Sequence, residues 1–339
     1  MSVLARYLAA IDEEIPRHLK ADDARLAPFY EMMRYHLGLE EGGQPGGKRL
    51  RPLVCLLLFE GLKGEIDRAL PAAAAVELLH NFTLIHDDIE DQDPTRRHRP
   101  TVWVRWGVAH GINAGDGMYA ISRLAVQRLR ERGLDAARTL AAVEVLDRAC
   151  VLVCEGQHLD IDFEGRIDVS RDDYQAMTAR KTGALLRASA ELPALMAGAA
   201  DQTLVALRAF GEHFGDAFQA HDDLKGIWGA SAETGKAEMN DIAKRKMTLP
   251  LVIAVERASP AQRTELAARY AKPAPLGHED VRAVRAILDA LAVRAEAERL
   301  VQREREAALR ALSQVELRDR PAALLRGLVD ETTGGAGRL

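Results

Sequence analysis

The chain has 339 residues, 47% of them apolar and only 5% aromatic, and a formal net charge of -5. That length holds one large domain or two ordinary ones, and an Ala- and Leu-rich, aromatic-poor composition favours helices over sheets. The acidic balance argues against a nucleic-acid partner, and the longest apolar run, Leu53–Phe59, is far short of a membrane span.

In chain order, residues 2–20 and 22–38 read as two amphipathic helices, broken around Pro16. The first contains acids and no signal-peptide core, so a cytoplasmic protein is expected. Gly42–Gly47 (GGQPGG) is a loop, and it delivers Lys48 and Arg51 to the start of the apolar helix Leu53–Leu62. Cations at a helix N-terminus oppose the macrodipole, which leaves either a solvated basic turn or an anion site.

Ala69–Ile89 is predicted as a long apolar helix that runs into His86, Asp87, Asp88, Glu90 and Asp91. At about 100° per residue, Asp87 and Asp91 share a face, Asp88 flanks them and His80 falls on the same stripe. Such carboxylates repel one another, so the cluster is either a solvated helix end or a seat for a divalent cation. Gln92–Pro100 is a loop bearing Arg96, Arg97 and Arg99, and Arg suits bidentate phosphate contacts as well as salt bridges.

Thr101–Gly117, with INAGDG, reads as loop before a helix over Met118–Arg132. Ala136–Asp160 is a long helix, and its Gln157, Asp160 and the following Asp162 are polar in a run otherwise suited to a core. Ser170–Ala200 is helical, with Lys181 and Thr182 at a Lys-Thr-Gly step that could be a kink. Asp201–Trp228 carries Phe218 and Gln219 one turn before a second acidic pair, Asp222 and Asp223. Glu233–Met247 is a polar loop. Leu249–Ala258, Pro260–Tyr270, Glu279–Leu312 and Pro321–Val329 complete the helices, and the tail 332–339 is expected to be disordered. Cys55, Cys150 and Cys154 complete no zinc set and are expected to be buried free thiols. No stretch alternates as a strand would, so the expectation is a single all-α domain over 1–339 without a sheet.

Two acidic helix ends supply only hard oxygen ligands, which suit Mg²⁺ rather than zinc or copper. The basic residues spread from Lys48 to Lys246 exceed what one monophosphate needs and fit two polyanionic substrates. Apolar helices behind both clusters call for a hydrocarbon tail. Phosphate at the mouth with hydrocarbon below describes a prenyl diphosphate site.

At this point the motifs can be read together. GGKRLRP, HNFTLIHDDIED, RRHRPT, RKTG, FQAHDD and GK…D…RKMTLP, in that order, resemble the trans-isoprenyl diphosphate synthases, most closely those bacterial members that make geranylgeranyl diphosphate. The resemblance covers roughly residues 40–255 by motif. It implies an all-α fold of antiparallel helices around a central cavity, and a homodimer. It implies that Asp87, Asp88 and Asp91 hold Mg²⁺ on an allylic diphosphate, with Asp222 and Asp223 across the cavity and up to about three ions in all. Arg96, Lys181 and Lys236 would help grip the same diphosphate, with Thr182 and Gln219 lining the region, and Lys246 would be a further substrate-binding cation. Lys48, Arg51, His80 and Arg97 would bind isopentenyl diphosphate.

The chain departs from the family pattern at two places. Gly226 stands where the second motif usually has a third aspartate, and Asp241 is a candidate to help nearby. His98 stands where a glycine usually follows the paired arginines. For product length, each helical turn upstream of Asp87 is a depth gauge of about 5.4 Å, which singles out Thr83, Phe82 and Leu79. A bulky residue at Phe82 implies a short product, geranylgeranyl (C20) first, with farnesyl or somewhat longer chains as alternatives. A terpene cyclase shares the acidic helix ends but needs no second diphosphate site. A non-catalytic partner subunit is the remaining alternative.

Overall fold

The computed structural model describes residues 4–40, 47–62, 64–229 and 240–335. The chain enters through α1 (Ala5–Glu14) and α2 (Ala27–Leu37). Between them are two tight 3₁₀ turns: Ile15–His18, where Pro16 removes a donor from the helical ladder, and Ala24–Leu26, where the Asp23 carboxylate accepts from Arg25 N. Then come α3 (Leu50–Leu62) and α4 (Leu70–Glu90), both buried over most of their length. Burying side chains such as Leu78, Leu79 and Ile85 of α4 stabilises the fold by about 1.5–3 kcal/mol each.

Thr95–Arg96 (β1) and Arg99–Pro100 (β2) pair antiparallel in a two-residue ribbon, which the absence of alternation did not predict. The turn between them places both Arg97 (φ 51°) and His98 (φ 61°) in the left-handed region. A hairpin of this twist demands that conformation, which explains a family glycine here. Histidine is among the side chains that tolerate it.

The loop expected over Thr101–Gly117 is instead helical. α5 (Val102–Trp106) and α6 (Val108–Gln127) are separated only at Gly107 (φ 90°). The glycines of INAGDG sit inside α6 because neighbouring helices pack tightly there: a Cβ on Gly115 would lie 2.2 Å from His86 Nε2 of α4, and one on Gly117 2.3 Å from the Phe29 ring of α2. Glycine marks close helix approach here, a use that composition cannot tell from a turn.

α7 (Ala136–Phe163) and α8 (Arg171–Thr178) lead to a π-helical turn at Ala179–Gly183 and on to α9 (Ala184–Ala197). α10 (Asp201–Trp228) is followed by α11 (Asn240–Ala243), α12 (Leu249–Arg257) and α13 (Pro260–Tyr270). The expected helix Glu279–Leu312 is two, α14 (His278–Ala290) and α15 (Val293–Ser313), divided where Ala292 turns left-handed (φ 51°). α16 (Asp319–Thr332) reaches further than expected, and Thr332 and Thr333, the first residues of the supposed tail, are buried. Cys55 and Cys150 are buried thiols, but Cys154 is exposed on the solvent side of α7.

The buried side chains form two clusters. One gathers α1–α4, α6, α7, α9, the first part of α10 and the C-terminal end of α15 with α16. The other gathers α8, the second part of α10, α12–α14 and the start of α15. Among the described residues no helix is long and apolar enough to cross a membrane.

Candidate active site

Where the two apolar clusters meet, a cavity of about 380 Å³ opens between α4, α7, the π turn and α10. Its walls bring together Asp87 and Asp91 from α4, Lys181 and Thr182 from the π turn, and Gln219, Asp222 and Asp223 from α10. Arg51, His80, Arg96 and Arg97 line it too, as does Lys246. A π turn widens a helix locally and is a frequent device at functional sites. Here it lets Thr182 Oγ1 reach Gln219 Oε1 at 2.5 Å.

On the α4 side, charge is met by charge. Lys246 Nζ lies 3.0 Å from Asp91 Oδ2 and 3.2 Å from Asp160 Oδ2, and Lys181 Nζ lies 2.6 Å from Asp160 Oδ2. Lys244 bonds both Asp91 and Asp93. Burial raises the Asp91 carboxyl, yet Lys246 and Lys244 outweigh it and hold it down at about 2. Burial disfavours the Lys246 charge, but Asp160 and Asp91 more than reverse that and keep the ammonium protonated. Asp87 is raised by burial, with Lys181 opposing.

Asp88 is placed differently from Asp87 and Asp91. It is buried off the cavity wall and accepts a 2.7 Å hydrogen bond from Arg96 Nε. Burial pushes its carboxyl up to about 6 against the pull of Arg96. Its geometry positions Arg96 and leaves Oδ2 without a hydrogen-bond partner among the described residues.

On the α10 side, Asp222 is exposed to the cavity, whereas Asp223 is buried. Asp223 accepts from Tyr174 Oη (2.6 Å), Leu249 N (2.7 Å) and Gln219 Nε2 (2.8 Å). Burial prevails over these neutral donors and raises its carboxyl to about 7. The carboxylate of Asp241 also faces the cavity, next to Gly226: a Cβ on that glycine would lie 1.9 Å from Asp241 Oδ2.

A third wall is cationic. Arg51 Nη1 sits 3.0 Å from His80 Nε2. Burial, then Arg51 and Arg97, keep His80 neutral, well below its ordinary value, and burial lowers Arg51 to about 10. Among the described residues, buried Arg51 Nε and Arg97 Nη1 have no hydrogen-bond partner. Buried donors are normally satisfied, so this set is a ready-made anion seat.

Not every expected residue joins the cavity. Lys48 is exposed and does not line it, and Lys236 lies outside the described residues. Thr83 lines the cavity, but Phe82 packs sideways on Tyr119 and His86, with ring centroids 5.3 and 5.7 Å apart, and Leu79 is in the core. Asp93, Tyr174 and Lys244 were not singled out from the sequence. Asp93 and Lys244 sit in polar connections where a charge has no periodicity to betray it.

Opposed acids, unpaired cations and an apolar back wall define a helical protein built to hold phosphorylated, partly hydrocarbon ligands. Residues 30–309 match the polyprenyl synthetase family. The chain is 40% identical over 298 residues to a geranylgeranyl diphosphate synthase of Mycobacterium tuberculosis, covering 86% of this chain and 84% of that one. It is 41% identical over 245 residues to a (2E,6E)-farnesyl diphosphate synthase of the same organism, covering 70% and 67%. A geranylgeranyl pyrophosphate synthase from Corynebacterium glutamicum, solved with isoprenyl diphosphate and magnesium, superposes with a TM-score of 0.85 at 29% identity, covering 97% and 99%. The chain belongs to the polyprenyl synthetase family of prenyltransferases.

Proposed function

We propose that the chain joins an allylic diphosphate to isopentenyl diphosphate and makes geranylgeranyl diphosphate. The observation that carries this reading is the pairing of an acidic wall and a separate, unsatisfied cationic wall across one cavity. Two diphosphates need two such seats, and a cyclase would need only one.

The donor set fits magnesium. Asp87, Asp91 and Asp222 offer only carboxylate oxygens, the ligands that Mg²⁺ prefers while keeping room for water and phosphate oxygens. Asp88 contributes by holding Arg96. Bound magnesium would neutralise charge on the departing diphosphate. Lys181, Lys246 and Arg96 stand ready to take the same charge once they release their carboxylates, and they orient the leaving group. The allylic C–O bond breaks, the double bond of isopentenyl diphosphate supplies the electrons of the new C–C bond, and the proton then lost goes to the released diphosphate. Arg51, Arg97 and neutral His80 seat the isopentenyl diphosphate. By the motifs that carry them, Lys48 would join the isopentenyl diphosphate grip and Lys236 the allylic one.

The C20 product is supported by the geranylgeranyl synthases among the relatives, and Thr83, one turn before Asp87, is the depth-gauge residue that lines the cavity. A homodimer is supported by the large apolar side chains that α6 and α7 leave exposed, among them Ile112, Leu124, Leu140 and Val151. The test is incubation with Mg²⁺, isopentenyl diphosphate and dimethylallyl, geranyl or farnesyl diphosphate in turn, with products dephosphorylated and sized by mass. Extension that stops at C20 is expected, and Thr83→Phe should shorten it to C15 or less. A cyclic hydrocarbon formed without isopentenyl diphosphate, or no turnover with any starter, overturns the reading.

A further inference from the structure

Away from the cavity, α10 and α15 pack along each other, and one polar cluster sits in their contact. His213 and Asp216 lie one turn apart on α10 and so emerge on the same face. Glu304 reaches them from α15. One ligand atom from each of the three lies within 4.8 Å of the others, and no other group of this kind occurs among the described residues. The contrast with the cavity is instructive. There, lysines hold the carboxylates of the acidic wall, whereas this set is already gathered.

We propose that His213, Asp216 and Glu304 form a second cation site that takes a first-row divalent transition metal, such as Zn²⁺, Mn²⁺ or Co²⁺, and ties α10 to α15. The hydrogen-bond inventory argues for it. His213 Nδ1 sits 2.8 Å from Glu304 Oε2, and the other oxygen of Glu304 accepts from Arg303 Nη2 at 2.7 Å. Among the described residues the Asp216 carboxylate, half-buried beside them, has no hydrogen-bond or ion-pair partner. Burial, then repulsion from Glu304 and Glu212 against the opposing pull of His213, push its carboxyl up to about 6. A carboxylate without a partner facing a second carboxylate is stabilised by a cation placed between them.

The donor chemistry selects the metal. One imidazole nitrogen and two carboxylate oxygens suit a borderline transition metal better than Mg²⁺, which prefers oxygen alone and keeps its waters. Two carboxylates also balance the dication charge. The position gives the site a consequence. Asp222 and Asp223 follow on α10 about two turns further on, roughly 10 Å along the axis, so a metal here braces the helix that carries the second acidic pair.

The competing structural account is a plain His213–Glu304 ion pair with a protonated Asp216 beside it. Metal-stripped protein titrated with Co²⁺ and followed by visible absorption separates the two. Wild type should bind one Co²⁺ with nitrogen ligation, and His213→Gln and Asp216→Asn should each weaken it at least about tenfold. Asp87→Asn, which alters only the cavity, should leave it intact. Zn²⁺ should raise the melting temperature of wild type but not of His213→Gln, while Mg²⁺-driven prenyl transfer by metal-stripped His213→Gln stays at the wild-type rate. Asp216→Asn guards against misfolding as the cause, because no contact is lost with that carboxylate. Absence of Co²⁺ binding by wild type, or binding that survives both substitutions and disappears in Asp87→Asn, overturns the proposal.

Discussion

At the end of α4, Asp91 faces Lys246 at 3.0 Å and Lys244 at 3.4 Å, whereas near the end of α10 Asp223 faces a tyrosine hydroxyl and an amide and a backbone N–H. The first carboxyl is therefore held at about 2 and the second rises to about 7. Two acidic helix ends that look alike as sequence do different work. The α4 end holds fixed negative charge against lysines, and on the proposed reading a metal–diphosphate complex would replace those ammonium groups. The α10 end spends Asp223 on fastening α8 and α12 to α10 and leaves Asp222 exposed to the cavity. The general lesson is that the partner, cation or neutral donor, decides whether a buried carboxylate is catalytic charge or structural clamp.

The largest effect that would test this difference is on turnover. Asp91→Asn and Asp87→Asn should each lower kcat by about 10³ or more at saturating substrates, since charge meant for the leaving diphosphate can no longer be organised. Asp222→Asn should also depress kcat strongly while leaving stability within about 0.5 kcal/mol, being an exposed side chain. Asp223→Asn should act the other way round at first. Its amide cannot accept all three donors, so urea unfolding should show a loss of about 2 kcal/mol. If Asp223→Asn is as stable as wild type, the clamp reading of the α10 end fails.

Stability against pH probes the same contrast with opposite signs. Asp223 binds its proton in the folded chain up to about 7 and in the unfolded chain only near 3.8. The folded state therefore carries more protons between those values, and this group makes stability fall as pH rises from about 4 to 7. Asp91 is depressed, so its contribution is present above about 4 and is lost as pH falls towards 2. Because buried neutral histidines such as His36 and His80 act with the opposite sign in this window, the readout, from melting of metal-free protein, is the difference: across pH 4–7 the stability of wild type minus that of Asp223→Asn should fall as pH rises. A difference that does not change with pH would mean that Asp223 does not titrate as described.

Much of this was legible in the sequence, and the part that was not has definite causes. Helical periodicity placed Asp87, Asp91 and His80 on one stripe, and all three line the cavity. The same wheel put Asp88 on the flank, where its carboxylate meets Arg96 rather than the ligand space. The Lys-Thr-Gly step read as no more than a kink and is a full π turn, because only the neighbouring helices determine how far it opens. INAGDG was read as loop because glycine serves turns and tight helix contacts alike, and the deciding neighbour, His86, lies on a different helix. Lys244 escaped notice since its partners, Asp91 and Asp93, are joined to it only by the fold.

Gly226 offers the finest test of how the α10 end is organised. A side chain there would compete for the space now taken by the carboxylate of Asp241, with Cβ only 1.9 Å from Oδ2. That carboxylate lines the cavity from the segment after α10, near where the third acid of the family motif would emerge from α10 itself. The atom in conflict is the tip of a flexible side chain, so a substitution displaces Asp241 rather than the helix. Gly226→Ala should cost little stability, because alanine favours a helix interior by about 1 kcal/mol. It should nevertheless raise the Mg²⁺ concentration needed for half-maximal turnover a few-fold by pushing the carboxylate away. Gly226→Asp supplies an acid of its own and should recover most of that loss, and adding Asp241→Ala should then cost far less than it does in wild type. Measuring the four-variant cycle isolates the coupling. Additive effects would mean that the two positions do not share one carboxylate place, and that Gly226 is a simple loss of the third acid.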